Sequence, residues 1–122
     1  MRPRIIIMQS SHHGFMFCCE ELGRMGLQVD TDFSIFRDEL GIHDQWEPGK
    51  RQLFITGTFS GSEEGVVEMV QEARECNPEL VCMSFSVDPI EGPFDHVIEK
   101  NRENFVAAVR GFLDGTLNRT GV

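Results

Sequence analysis

The sequence predicts an α/β fold in one domain: a parallel sheet of five strands with helices on both faces. Three observations carry this. The apolar runs at 4–8, 53–56 and 80–85 do not alternate with polar residues, which is the pattern of strands buried on both sides. Two of these runs are followed by stretches of helical spacing. Strands alternating with helices imply right-handed crossovers and a sheet covered on both faces.

The elements follow in order. Residues 4–8 form a β-branched strand bounded by Pro3 and by Gln9, Ser10 and Ser11. From His13 the period becomes helical, with Phe15, Cys18, Cys19, Leu22 and Met25 on one face, Glu20, Glu21 and Arg24 opposite, and Gly26 as the terminating residue. Residues 27–36 return to a strand-like pattern through Val29, Phe33 and Ile35. The stretch 37–51 is irregular, with at most two helical turns at 38–43, the single Trp46 and a turn at Glu47-Pro48-Gly49. Trp46 fits either a partner anchor or a cover for the sheet edge.

A third strand at 53–56 leads through the small-residue loop 57–62 to a helix. Ser60 or Ser62 supplies its cap, and Val66, Val67, Met69, Val70 and Ala73 its apolar face. Asn77-Pro78 stops that helix. A fourth strand at 80–85, a loop through Asp88-Pro89 and Gly92-Pro93, and a fifth strand at 94–99 follow. Asn101 then caps a last helix with Phe105, Val106, Val109, Phe112 and Leu113 inward and Gly115 at its end. The expected domain covers 1–115, with a polar tail at 116–122.

Composition narrows the function. The chain has 122 residues, enough for one core without staples. Its net charge of −9 and lack of a basic stripe argue against nucleic acid and anionic membrane as partners. The four apolar residues after Met1-Arg2-Pro3-Arg4 are too few for a signal-peptide core or a membrane span, so a cytoplasmic protein is expected. None of the four cysteines forms a C-x-x-C pair, which predicts reduced, mostly buried thiols and neither a zinc site nor a redox motif. His43 and His96 have no evident partner in sequence.

In a parallel α/β sheet, ligands and catalytic groups sit beyond the carboxyl ends of the strands. Those ends carry Gln9, Ser10, His12, His13, Gly57 with the loop to Ser62, Ser84, Ser86 and Lys100. With its first strand, the helix ending at Gly26, Gly65 at the next helix start, and the run of fifth strand, Lys100 and closing helix, the chain resembles a CheY-like receiver domain. That resemblance implies a flavodoxin-like, three-layer fold. The family carries an acidic pair after the first strand, a phosphoacceptor aspartate after the third, a Ser or Thr after the fourth and a lysine after the fifth. The acids hold Mg²⁺ during phosphoryl transfer.

Carried over position by position, the acidic pair falls on Gln9 and Ser10 and the phosphoacceptor on Gly57. None of these can ionise. The switch hydroxyl falls on Ser84 or Ser86, Lys100 matches the lysine, and the short span between Ser86 and Lys100 implies a short or missing fourth helix. The chain is also similar, more weakly, to the mannose-type phosphotransferase A domain, in which a histidine after the first strand carries the phosphoryl group. His13 matches that histidine, and Gly57 stands at its aspartate partner.

The expectation is therefore a receiver-like regulatory or protein-interaction module independent of phosphorylation. It has a pocket at Gln9, Ser10, His12, His13, Gly57, Ser84, Ser86 and Lys100, and no metal, cofactor or catalytic residue is expected. Its counterpart is a protein, a small ligand or a second copy of the chain. The alternative is a phosphoryl carrier or small enzyme using His13 and the loop from Gly57 to Ser62.

Overall fold

A computed structural model of the chain describes residues 3–38, 40–57, 63–86 and 92–119. Five strands alternate with three helices: β1 (Ile5–Met8), α1 (His12–Arg24), β2 (Phe33–Phe36), β3 (Leu53–Thr56), α2 (Glu63–Cys76), β4 (Val81–Ser86), β5 (His96–Glu99) and α3 (Arg102–Asp114). All neighbouring strands pair in parallel, in the spatial order β2-β1-β3-β4-β5. This is the doubly wound order in which the chain reverses direction beside β1, so the edges of β1 and β3 form the natural crevice.

Alternation along the strands divides the core into two layers. Ile5, Ile7, Leu53, Ile55, Val81, Met83 and Phe85 face α1 and α3, meeting Cys18, Leu22, Phe105, Val109 and Phe112. Ile6, Met8, Phe54 and Cys82 face the other way, onto Val66, Met69, Val70 and Ala73 of α2. Each of these fully buried aliphatic and aromatic side chains contributes about 1.5–3 kcal/mol. The three-layer fold is as expected.

The caps show why α1 and α3 start and stop where they do. Ser11 precedes α1 in an extended conformation and its Oγ accepts the Gly14 N–H at 3.0 Å, while Asn101 Oδ1 does the same for Asn104 N–H of α3 at 2.8 Å. Gly26 and Gly115 take the left-handed conformation (φ 82° at each) beyond the last turns. Asn77 follows α2, buried, its Nδ2 donating to the Lys50 carbonyl and to Gln52 Oε1. The Ser60 and Ser62 caps lie outside the described residues.

Several expectations are corrected. Residues 27–36 yield a strand only at Phe33–Phe36, because Asp30 turns into the left-handed region (φ 64°) and leaves Val29 as an isolated bridge. The helical turn sits at Ile42–Gln45 as a 3₁₀ segment after Gly41 (φ 83°), overlapping the 38–43 expectation only at its end. Trp46 is 5% exposed and packs edge-on against Phe54 at 4.9 Å, so it covers the sheet and is no exposed anchor.

Glu21, expected on the solvent face of α1, is buried. Its carboxylate receives Arg24 from its own helix at 3.2 Å and Arg102 from α3 at 3.1 Å. Two guanidinium groups compensate the desolvated charge and tie α1 to α3. Phe17 joins the core layer beside it, a position the predicted apolar face omitted.

Between β4 and β5 the described residues contain no helix; the loop through Asp88-Pro89 lies outside them. Asp95 occupies this junction. Its Oδ2 accepts the Cys82 N–H at 2.7 Å and Arg74 Nη2 at 2.7 Å. The described part of the polar tail, 116–119, lies on the domain. Arg51 stacks over the Phe112 ring at 4.1 Å and donates to the Phe112 and Leu117 carbonyls, while Arg119 Nη1 donates to the Pro78 carbonyl.

Burial decides the state of the thiols. Desolvation pushes Cys18 and Cys82 from 9.0 to about 12, with Lys100 and Arg74 respectively pulling the other way. Both stay protonated at neutral pH. Because the folded values lie above the unfolded one, the resulting stability is intact below pH 9 and is lost as pH rises towards 12. Exposed Cys76 is expected to react with a thiol reagent at pH 8, and Cys18 and Cys82 only after denaturation. Reaction of all three at one rate in the native protein would contradict this burial.

Candidate functional site

The carboxyl ends of β1 and β3 continue their ladders by one residue. Gln9 N–H donates to the Phe36 carbonyl at 2.9 Å and Gly57 N–H to the Met8 carbonyl at 3.2 Å. This fixes Gln9 and Gly57 side by side, pointing to the α1–α3 side by the alternation of their strands. A Cβ on Gly57 would lie 3.3 Å from Gln9 Nε2 and 3.1 Å from the Phe85 carbonyl oxygen. The glycine admits the amide where a side chain would crowd it.

Gly14, in the first turn of α1, does the same from above. A Cβ there would lie 2.6 Å from Gln9 Oε1, 2.8 Å from Lys100 Nζ and 2.9 Å from Ser11 Oγ. Three polar groups from β1, the end of β5 and the α1 cap thus converge on one missing methyl group. Gln9 is 3% exposed, and its Nε2 has no hydrogen-bond partner among the described residues. A buried donor left unpaired costs about 1–3 kcal/mol.

Lys100 is held by its backbone, which donates to the Ser86 carbonyl at 3.3 Å, and its charge reaches Cys18 on α1. Among the described residues no ion pair engages its ammonium group. Beside it opens a cavity of about 260 Å³ lined by His13, Gly14, Phe17, Lys100 and Asn101. His12 and His13 are exposed, with their rings 6.3 Å apart, and only His13 faces this cavity.

Ser84 and Ser86 turn to the other face by alternation, although the backbone of Ser86 lies against Lys100. Ser84 pairs in register with Thr56 and Val97, and its alternation with Met83 and Phe85 turns it to the α2 face. The residue in the row of Gly57 is Phe85, stacked against Phe17 at 6.3 Å and tilted against Phe105 at 5.3 Å. An apolar ring therefore holds the place next to Gly57 where a hydroxyl was sought. Ser10 is half-buried, and its carbonyl accepts both Nε and Nη2 of Arg37, at 3.3 and 3.1 Å.

The structure thus brings Gln9, Gly57, Lys100 and His13 to one corner. It adds Gly14, Phe17 and Asn101, which the sequence did not mark as site residues. Only the glycine inside the first turn of a helix hinted at the first of these. Among the described residues no three His, Cys, Asp or Glu side chains are grouped to hold a metal ion, and no helix is long and apolar enough to cross a membrane.

No family model matches the chain, and no curated protein matches it in sequence. Among solved structures it is similar to the signal receiver domain of an HD domain-containing protein from Pseudomonas fluorescens Pf-5. The two superpose with a TM-score of 0.65 at 14% identity, over 94% of this chain and 89% of that one. The chain has the receiver fold. Within that receiver-like frame, the strand-end corner carries an amide, a glycine and a phenyl ring in one row beside Lys100.

Proposed function

We propose that this receiver-like domain is a regulatory module that works without aspartyl phosphorylation and recognises a protein or a small ligand. The observation that carries this reading is the pairing of Gln9 with Gly57. At the two adjoining strand ends where the family places carboxylates, one residue has an amide and the other has no side chain.

Neither group is a nucleophile at neutral pH, and neither supplies the anionic oxygens that a hard divalent cation prefers. Phe85 in the same row supports the reading, because a ring offers no hydroxyl to a phosphoryl group. Lys100 supplies charge for recognition without requiring turnover.

Incubation with acetyl phosphate and Mg²⁺ is expected to leave the intact mass unchanged, and beryllofluoride with Mg²⁺ to leave the amide NMR spectrum unchanged at Gln9 and Gly57. A gain of one phosphoryl group, or Mg²⁺-dependent shifts at those residues, would overturn the proposal.

A further inference from the structure

We propose that the cavity between α1 and Lys100 is a binding site for a small carboxylic acid with an apolar body, held without covalent chemistry. This deepens the reading of the strand-end corner given above and rests on it.

The cavity has a cationic end and an apolar wall. Lys100 contributes an ammonium group outside any ion pair among the described residues, and Phe17 contributes a ring already braced by Phe85 and Phe105. Among the described residues no carboxylate lines it, in a chain of net charge −9. Two helices also start at its rim. α1 begins after Ser11 with no acidic residue in its first turn, and its opening His12 and His13 N–H groups have no carbonyl of their own helix to reach. Asn101, the cap of α3, lines the cavity directly. Glu103, in the first turn of α3, is exposed and outside the lining. Both helix dipoles therefore favour an anion at the same spot.

Gln9 closes the back of this corner. Its amide is buried behind Gly14 and Gly57, and its nitrogen has no acceptor among the described residues. Its oxygen is the amide atom nearest Gly14, on the Lys100 side, and its nitrogen is the atom nearest Gly57. A carboxylate in the cavity would take one oxygen to Lys100 and the other to the first-turn N–H groups of α1. Gly14 is required because any Cβ would occupy this corner. The size, about 260 Å³, suits a ring or a branched chain of a few carbons.

The experiment is an amide NMR titration of the full chain with sodium benzoate, alongside neutral benzamide and inorganic phosphate. Benzoate is expected to saturate at roughly millimolar concentration, shifting His12, His13, Gly14 and Asn101. Benzamide and phosphate are each expected to bind at least tenfold more weakly, the first lacking charge and the second lacking an apolar body. Lys100→Met is expected to weaken benzoate at least tenfold while the remaining resonances stay in place.

Equal affinity for benzoate and benzamide would overturn the anionic character of the site, and equal affinity for benzoate and phosphate its apolar part. Shifts that do not saturate, or that survive Lys100→Met, would overturn the site itself. The titration contains no Mg²⁺ and the beryllofluoride experiment contains no benzoate, so failure of this site and failure of the phosphorylation-independent reading give separate signals.

Discussion

Replacement of Asp95 by alanine is expected to lower stability by about 3–5 kcal/mol, the cost of removing one partner from a buried ion pair. The Asp95 side chain is 2% exposed, and it accepts both the Cys82 N–H and the Arg74 guanidinium at 2.7 Å. Truncation leaves a backbone donor unpaired inside the sheet and a largely enclosed positive charge on α2. Asparagine preserves an acceptor for the Cys82 N–H and should recover part of the loss. Urea unfolding of the two variants measures the difference. A loss below about 1 kcal/mol for alanine, the range of exposed pairs, would show that Arg74 and the strand junction do not depend on this carboxylate.

Replacement of Phe85 by alanine is expected to cost about 3–5 kcal/mol, on the order of 10–20 °C in melting temperature. Phe85 is fully buried at the centre of the α1–α3 layer, with Phe17 and Phe105 resting on it from the two helices. Its removal leaves a void beneath the cavity that Phe17 lines. The same variant should therefore alter the first-turn amides of α1 in the NMR spectrum. Calorimetry showing a shift of only a few degrees would mean that the ring is not shared between the two helices as the distances indicate.

The frame of this fold is written plainly in local sequence, and its site is not. The run Ile5–Met8 can be read as a buried strand because four successive apolar residues have no solvent face to serve. Ser11, Gly26, Asn101 and Gly115 mark helix ends by chemistry that acts within a turn. By contrast, β4 is buried on both sides along Val81–Ser86, so its sequence carries no sign of which residues face which layer. Register alone sends Phe85 toward Gly57 and Ser84 away from it. Glu21 was misplaced for a related reason: a carboxylate reads as solvent-facing until Arg102, 81 residues later, is brought beside it.

The neutrality of Gln9 and Gly57 was legible as identity, and their adjacency followed from strand order. The depth of Gln9 was not legible, because it depends on Gly14 and Lys100 closing over it from two other elements. Trp46 shows the converse. A lone tryptophan in an irregular segment carries no local signal of direction, and only Phe54 on the strand beneath explains why it turns inward.

The grip of Arg51 on the Phe112 and Leu117 carbonyls bears on the order in which the chain is made. Arg51 leaves the ribosome 61 and 66 residues ahead of the groups that receive it. Until those carbonyls emerge, the β3 end of the sheet waits with an unplaced guanidinium and an uncovered face. Closure by such distant partners carries a large loop entropy and slows the last step. The β3 end of the sheet is thus completed only when α3 and the residues just after it are in place.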